Sequence, residues 1–178
     1  MKSMKFYNIY VISGYITIDV IDTFIGDIKK YDNDDCIVQA FNGEMIFGRL
    51  HLLSSIEHTL RAKEQGRLIS HSLSMELLLY ASGERQLKRA IPKIGIDTGI
   101  NSVVVVIITK KTDKKDIKKK IKDLLISSYC FKEDPRVLEP SLHALQRYGI
   151  TKKELTSIPP DQYHHLVLEK VAMVDIIK

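Results

Sequence analysis

The sequence predicts an α/β fold, one domain over residues 1–178 with a mixed β-sheet flanked by helices. Three observations carry that expectation. Residues 103–108 (Val-Val-Val-Val-Ile-Ile) form an unbroken β-branched run, the pattern of a strand covered on both faces. Strand-like segments precede a helical middle, and this buried strand follows it. No repeat, low-complexity linker or shift of composition divides the chain, whose length is ordinary for one domain.

The elements follow in order. Residues 8–18, rich in Tyr, Val and Ile, read as a strand with Gly14 as a bulge or bend. Residues 19–30 suit a short helix, and Asp32, Asn33, Asp34 and Asp35 a polar turn. Residues 36–41 form the next strand. Asn42-Gly43 predicts a hairpin whose second strand is 45–47. In 50–65, Leu52, Leu53, Ile56 and Leu60 recur at helical spacing, and Gly66 closes the helix. Residues 72–81 form a second, more buried helix, with Tyr80 in its interior. Ser82-Gly83 breaks it. A third helix covers 84–91 and stops at Pro92. Ile117, Ile121, Leu124, Leu125 and Ile126 give the lysine-rich segment an apolar stripe, capped by Thr112 or Asp113. Pro135 and Pro140 mark a long turn, and 142–148 and 152–155 are short helical pieces. Pro159-Pro160 starts a final helix through 177. That helix is apolar all round, so either both faces are buried or a partner covers one, with Met173, Ile176 and Ile177 as the partner surface.

Composition excludes several classes. No apolar stretch is long enough to span a bilayer, and no apolar region follows the basic N-terminus as a signal peptide requires. Cys36 and Cys130 are far apart without metal spacing, which fits a reducing cytoplasm. Cys130, between Tyr129 and Phe131, reads as a packed, inert thiol. The net charge of +5 resides wholly in 110–123, where lysines line the outward face of an amphipathic helix. That face is either solvated or turned toward phosphates.

Catalytic signatures are missing. No glycine-rich phosphate loop or dinucleotide fingerprint occurs. His51 and His58 share a helix face, but two turns separate them by about 10 Å, too far for one metal ion. His164 and His165 point apart. A structural hydrogen bond at a helix N-terminus suits His51 better. Ser54, Ser55, Ser70, Ser72 and Ser74 sit in no nucleophile elbow. The expectation is a protein without catalytic residues, metal or cofactor. The competing reading is a small enzyme using His51, Glu76 and Ser82.

The densest segment is 75–96. A buried helix breaks at Ser82-Gly83, and Arg85, Gln86, Lys88 and Arg89 follow at once. Backbone amides at such a break, a guanidinium and an amide side chain suit a phosphate or a base edge. Arg61, Lys63 and Arg67, at the end of the preceding helix, could extend the same face. The plainer alternative is a helix break with surface arginines.

Here the chain resembles the small accessory subunit of the KEOPS tRNA-modifying complex, the PRPK-binding protein family, in its archaeal form. The matching residues are Ala40 at a strand end, Gly48-Arg49-Leu50-His51-Leu52, and Met75-Glu76-Leu77-Leu78-Leu79-Tyr80-Ala81-Ser82-Gly83-Glu84-Arg85-Gln86, then Ala90-Ile91 and Gly95-Ile96. The resemblance spans roughly residues 8–175. It implies a non-catalytic cytoplasmic subunit that binds and stimulates a small atypical kinase acting as an ATPase. Through that kinase it would reach the threonylcarbamoyl-transferase subunit. It also implies binding of tRNA by its single-stranded 3′ CCA end, in a complex that makes threonylcarbamoyladenosine next to the anticodon. RNA contacts are then expected at Arg61, Lys63, Arg67, Ser82, Gly83, Arg85, Gln86, Lys88 and Arg89, and the kinase contact at Met173, Ile176 and Ile177. A structural adaptor without RNA affinity is the remaining alternative.

Overall fold

The computed structural model describes residues 3–111 and 116–176. Four strands, Tyr7–Ile18 (β1), Cys36–Asn42 (β2), Gly99–Lys110 (β3) and Lys132–Glu133 (β4), form one sheet in the order β2-β3-β1-β4. Every pairing is antiparallel, so the sheet is not the expected mixed one. The reason lies in topology. β1 and β2 run the same way and are joined through helix Ile21–Lys29 (α1), but β3 slots between them in the opposite direction. This is a split βαβ unit.

The β-branched run dictates β3's central place. Its residues alternate between faces, and both faces are apolar, so both must be covered. On one face Val103, Val105 and Ile107 pack with Phe24 and Ile28 of α1 and with Ile121 and Leu125 of helix Ile117–Tyr129 (α5). On the other, Val104, Val106 and Ile108 pack with Leu52, Ile56 and Leu60 of helix Gly48–Glu64 (α2) and Leu77, Leu78 and Leu79 of helix Leu73–Ser82 (α3). Helix Leu87–Ile94 (α4) adds Ala90 and Ile94 to the second core. Helices Leu142–Arg147 (α6), Lys152–Ser157 (α7) and Tyr163–Met173 (α8) complete that side.

Several local expectations change. Gly14 makes no bulge, since β1 keeps one register with β3 throughout. Its missing side chain instead admits β4, because a Cβ there would collide with the Lys132 carbonyl. Asn42-Gly43 is not a hairpin. Gly43–Met45 is a 3-10 turn capped by Asn42, whose Oδ1 accepts from Glu44 N at 3.0 Å, and β2 finds its partner in distant β3. Pro92 sits inside α4 instead of ending it. Asp116 caps α5 by accepting from Lys119 N at 3.1 Å, whereas Thr112 and Asp113 lie outside the described residues. Cys130 is exposed, not packed. It ends α5 in the left-handed conformation at φ 50°, which turns it away from the core while Phe131 is buried. Among the described residues no helix is long and apolar enough to cross a membrane.

Candidate nucleic-acid and partner surfaces

The α2–α3 connection builds the site. α2 ends at Gly66, whose φ of 62° lets Arg67 N reach back to Ala62 O. The chain returns through 67–72, and Ser72 starts α3 by capping Met75 N. Glu76, one turn into α3, pins the loop: its carboxylate accepts from Ile69 N at 3.0 Å and Ser70 N at 2.7 Å. Burial raises the Glu76 carboxyl pKa against the pull of those amides. α3 then stops at Gly83, φ 68°, which lies against the Lys170 backbone of α8. Only glycine meets both demands there.

The break at Ser82-Gly83 does not present open amides. Gly83 N donates to Tyr80 O, and Glu84 N to Leu79 O and to the Ser82 hydroxyl. Ser82 Oγ in turn donates to Leu79 O. Both residues shape the turn and contribute no donor to a surface.

The basic residues divide. Arg61, in the last turn of α2, donates to Asp175 Oδ2 at 2.8 Å, and Arg85 donates to the adjacent Val174 carbonyl at 2.6 Å. These two therefore meet at the segment after α8. Arg67 is exposed, bonds Gln65 through Nε at 2.9 Å, and acts electrostatically on nearby Tyr80. Lys63 points elsewhere, toward the Asp34 carbonyl. Gln86, Lys88 and Arg89 are exposed at the start of α4, and none bonds to the cluster among the described residues.

Asp175 is the centre of that cluster. Tyr80, buried as its helix position implied, donates its hydroxyl to Oδ1 at 2.6 Å. His58 Nδ1 lies 2.8 Å from Oδ2. Arg61 Nη2 lies 2.8 Å from the same His58 nitrogen, and because a guanidinium only donates, an Nδ1–H that donates to the carboxylate is not also bonded to Arg61. Burial pushes the Asp175 carboxyl pKa up, but the hydrogen bonds from Tyr80, His58 and Arg61 outweigh it and hold the group below the usual carboxylate range. Burial also lowers the pKa of His58 and raises that of Tyr80. Beside Arg85 a hollow of about 350 Å³ opens, with an apolar floor of Ile69, Met75, Leu79 and Leu87 and with His71 on its wall. A flat base could rest on such a floor while the guanidinium holds its phosphate.

His51, Glu76 and Ser82 assemble no catalytic unit. His51 Nδ1 accepts from Phe47 N at 3.1 Å, at the start of α2, and Nε2–H donates to Ala81 O at 2.8 Å. Both ring nitrogens are thus committed to backbone, and burial lowers the imidazole pKa to about 4. Glu76 and Ser82 are engaged as described.

α8 buries Val171, with Val174 after it, against Ala62 and Tyr80, while its Val167 joins the core of α2 and α3. Met173 is half-buried, Ile176 is exposed, and Ile177 lies outside the described residues. A second, apolar groove of about 180 Å³, missed in the sequence, runs between α1, β2, α3 and α4. It is lined by Phe24, Ile28, Val38, Met75, Leu78 and Ile96, with exposed Ile25 and Ile91 on its rims. Its rims come from helices far apart in sequence, so no local pattern marks it. Asp175 and His58 were missed for the same reason.

Compared with known families, the chain matches the model for kinase binding protein CGI-121 over residues 21–173. No curated protein matches it.

Proposed function

This chain belongs to the kinase binding protein CGI-121 family, and on that premise we propose that it is the small non-catalytic subunit of the KEOPS complex. In this reading it binds and stimulates the atypical kinase of the complex, and reaches the threonylcarbamoyl-transferase subunit through that kinase. It delivers tRNA by its 3′ CCA end for threonylcarbamoyladenosine synthesis in the cytoplasm. The observation that supports RNA binding best is Arg85 on the wall of a hollow with an apolar floor, with Arg61 meeting it at the segment after α8. Single-stranded RNA is held by such a pairing of cations with a stacking surface. Lys63, Gln86, Lys88 and Arg89 serve as outlying phosphate contacts.

The test compares full-length tRNA with tRNA trimmed of its CCA end, for the wild-type chain and Arg85→Glu. Trimming is expected to weaken wild-type binding at least tenfold, and to have little further effect on Arg85→Glu. Equal binding of both tRNAs by the wild type would overturn the reading. An adaptor without RNA affinity is the second reading. It is favoured by the fact that Arg61 and Arg85 already bond within the chain. Absence of any tRNA binding, with kinase binding intact, would establish it.

A further inference from the structure

We infer that the donor cluster around Asp175 is a phosphate site occupied by the protein's own carboxylate, and that an RNA phosphodiester displaces it. Its physiological ligand rests on the RNA reading above; the anion site itself does not. Three donors of different chemistry converge on Asp175: the Arg61 guanidinium, the His58 imidazole and the Tyr80 phenol. Together they form a set suited to phosphate oxygens. A phosphodiester carries one negative charge on two non-bridging oxygens, as a carboxylate does. Exchange therefore preserves both charge and donor count.

The resident carboxylate belongs to the short turn that follows α8, whose Val174 is buried against Ala62 and Tyr80. Beyond the end of α8 the chain is held by tight turn bonds, Val174 N to Val171 O at 3.3 Å and Asp175 N to Ala172 O at 3.2 Å. Arg85 is tied to the neighbouring Val174 carbonyl. Withdrawal of the Asp175 side chain alone frees the Arg61 guanidinium, the His58 imidazole and the Tyr80 hydroxyl, while buried Val174 stays in place. Glu76, the other carboxylate nearby, is bound to the Ile69 and Ser70 amides and need not move. The Arg61 side chain is 40% exposed while Asp175 is 16% exposed, so the guanidinium marks the side of approach.

The test uses full-length Asp175→Asn, which retains an oxygen for the Tyr80 hydroxyl. Its probes are single-stranded RNA ending in CCA, and inorganic phosphate alone. Asp175→Asn is expected to bind the RNA about five- to tenfold more tightly than wild type, the effect of removing one competing charge. Adding Arg61→Gln should abolish the gain, and Asp175→Glu should bind as wild type does. Phosphate should raise the melting temperature of Asp175→Asn and leave wild type unmoved. If Asp175→Asn fails to fold, Asp175→Ser also removes the competing charge, keeps all three donors and should also tighten RNA binding. RNA binding through Arg85 without a gain in either variant would overturn the inference and leave the RNA reading standing. Phosphate stabilising Asp175→Asn while RNA binds neither protein would support the anion site and refute the RNA reading.

Discussion

Among single residues His51 has the sharpest consequence. Its folded pKa of about 4 lies below the value near 6.5 of an unfolded histidine, because burial disfavours the charged ring more than the bond to Ala81 O favours it. The unfolded chain binds the extra proton first, so this contribution to stability is complete above pH 6.5 and is lost as pH falls toward 4. Between pH 7 and pH 5 the loss is about 2 kcal/mol by proton linkage. Denaturant unfolding at the two pH values should show a smaller difference in His51→Gln than in wild type. That His51 serves structure was readable from its place at the start of an apolar helix. Its second bond was not, because Ala81 is thirty residues away. Asp175 was less legible still: its partners His58, Arg61 and Tyr80 come from two other helices, and nothing in its neighbours marks it.

At the scale of elements, α1 and α4 hold the prediction for the kinase contact. The family is described as kinase-binding, and the groove between these helices offers a mainly apolar lining with Ile25 40% and Ile91 52% exposed at its rims. Among the described residues the end of α8 offers exposed Ile176 and half-buried Met173. Apolar concavities with exposed rims form the centres of stable interfaces. Ile91→Asp should weaken kinase capture at least tenfold in a titration with purified kinase, while Ile176→Asp changes it less than threefold. The opposite ranking would return the contact to α8. Helices with a clear apolar stripe, α2 and α5, were legible because their periodicity reflects a core on one side. The turn at Asn42-Gly43 misled because the local signal for a hairpin also fits a cap, and β2's long-range pairing with β3 decided between them.

Over the whole molecule the positive charge has two locations. The lysines of α5 cover the sheet face opposite α2 and α3, and Lys122 is partly neutralised by Glu133 at 2.6 Å. The lysine helix therefore lies on the sheet face away from the Arg61–Arg85 cluster. Replacing Lys118, Lys119 and Lys120 with Gln should lower affinity for full-length and trimmed tRNA equally, and reduce the salt dependence of both. A change in the ratio between the two tRNAs would show that α5 touches the 3′ end. The α/β class was legible because one doubly covered strand demands helices on both sides. The antiparallel arrangement was not, because insertion of β3 between β1 and β2 is a long-range choice. That insertion also governs how the protein is made. β1 is translated early, yet its central partner lies roughly eighty to a hundred residues downstream. A nascent chain therefore carries β1 and β2 without their common neighbour until β3 clears the ribosome. Loop closure over such a span is slow, so the sheet forms late and in one step, and the young chain's apolar strands need protection until then.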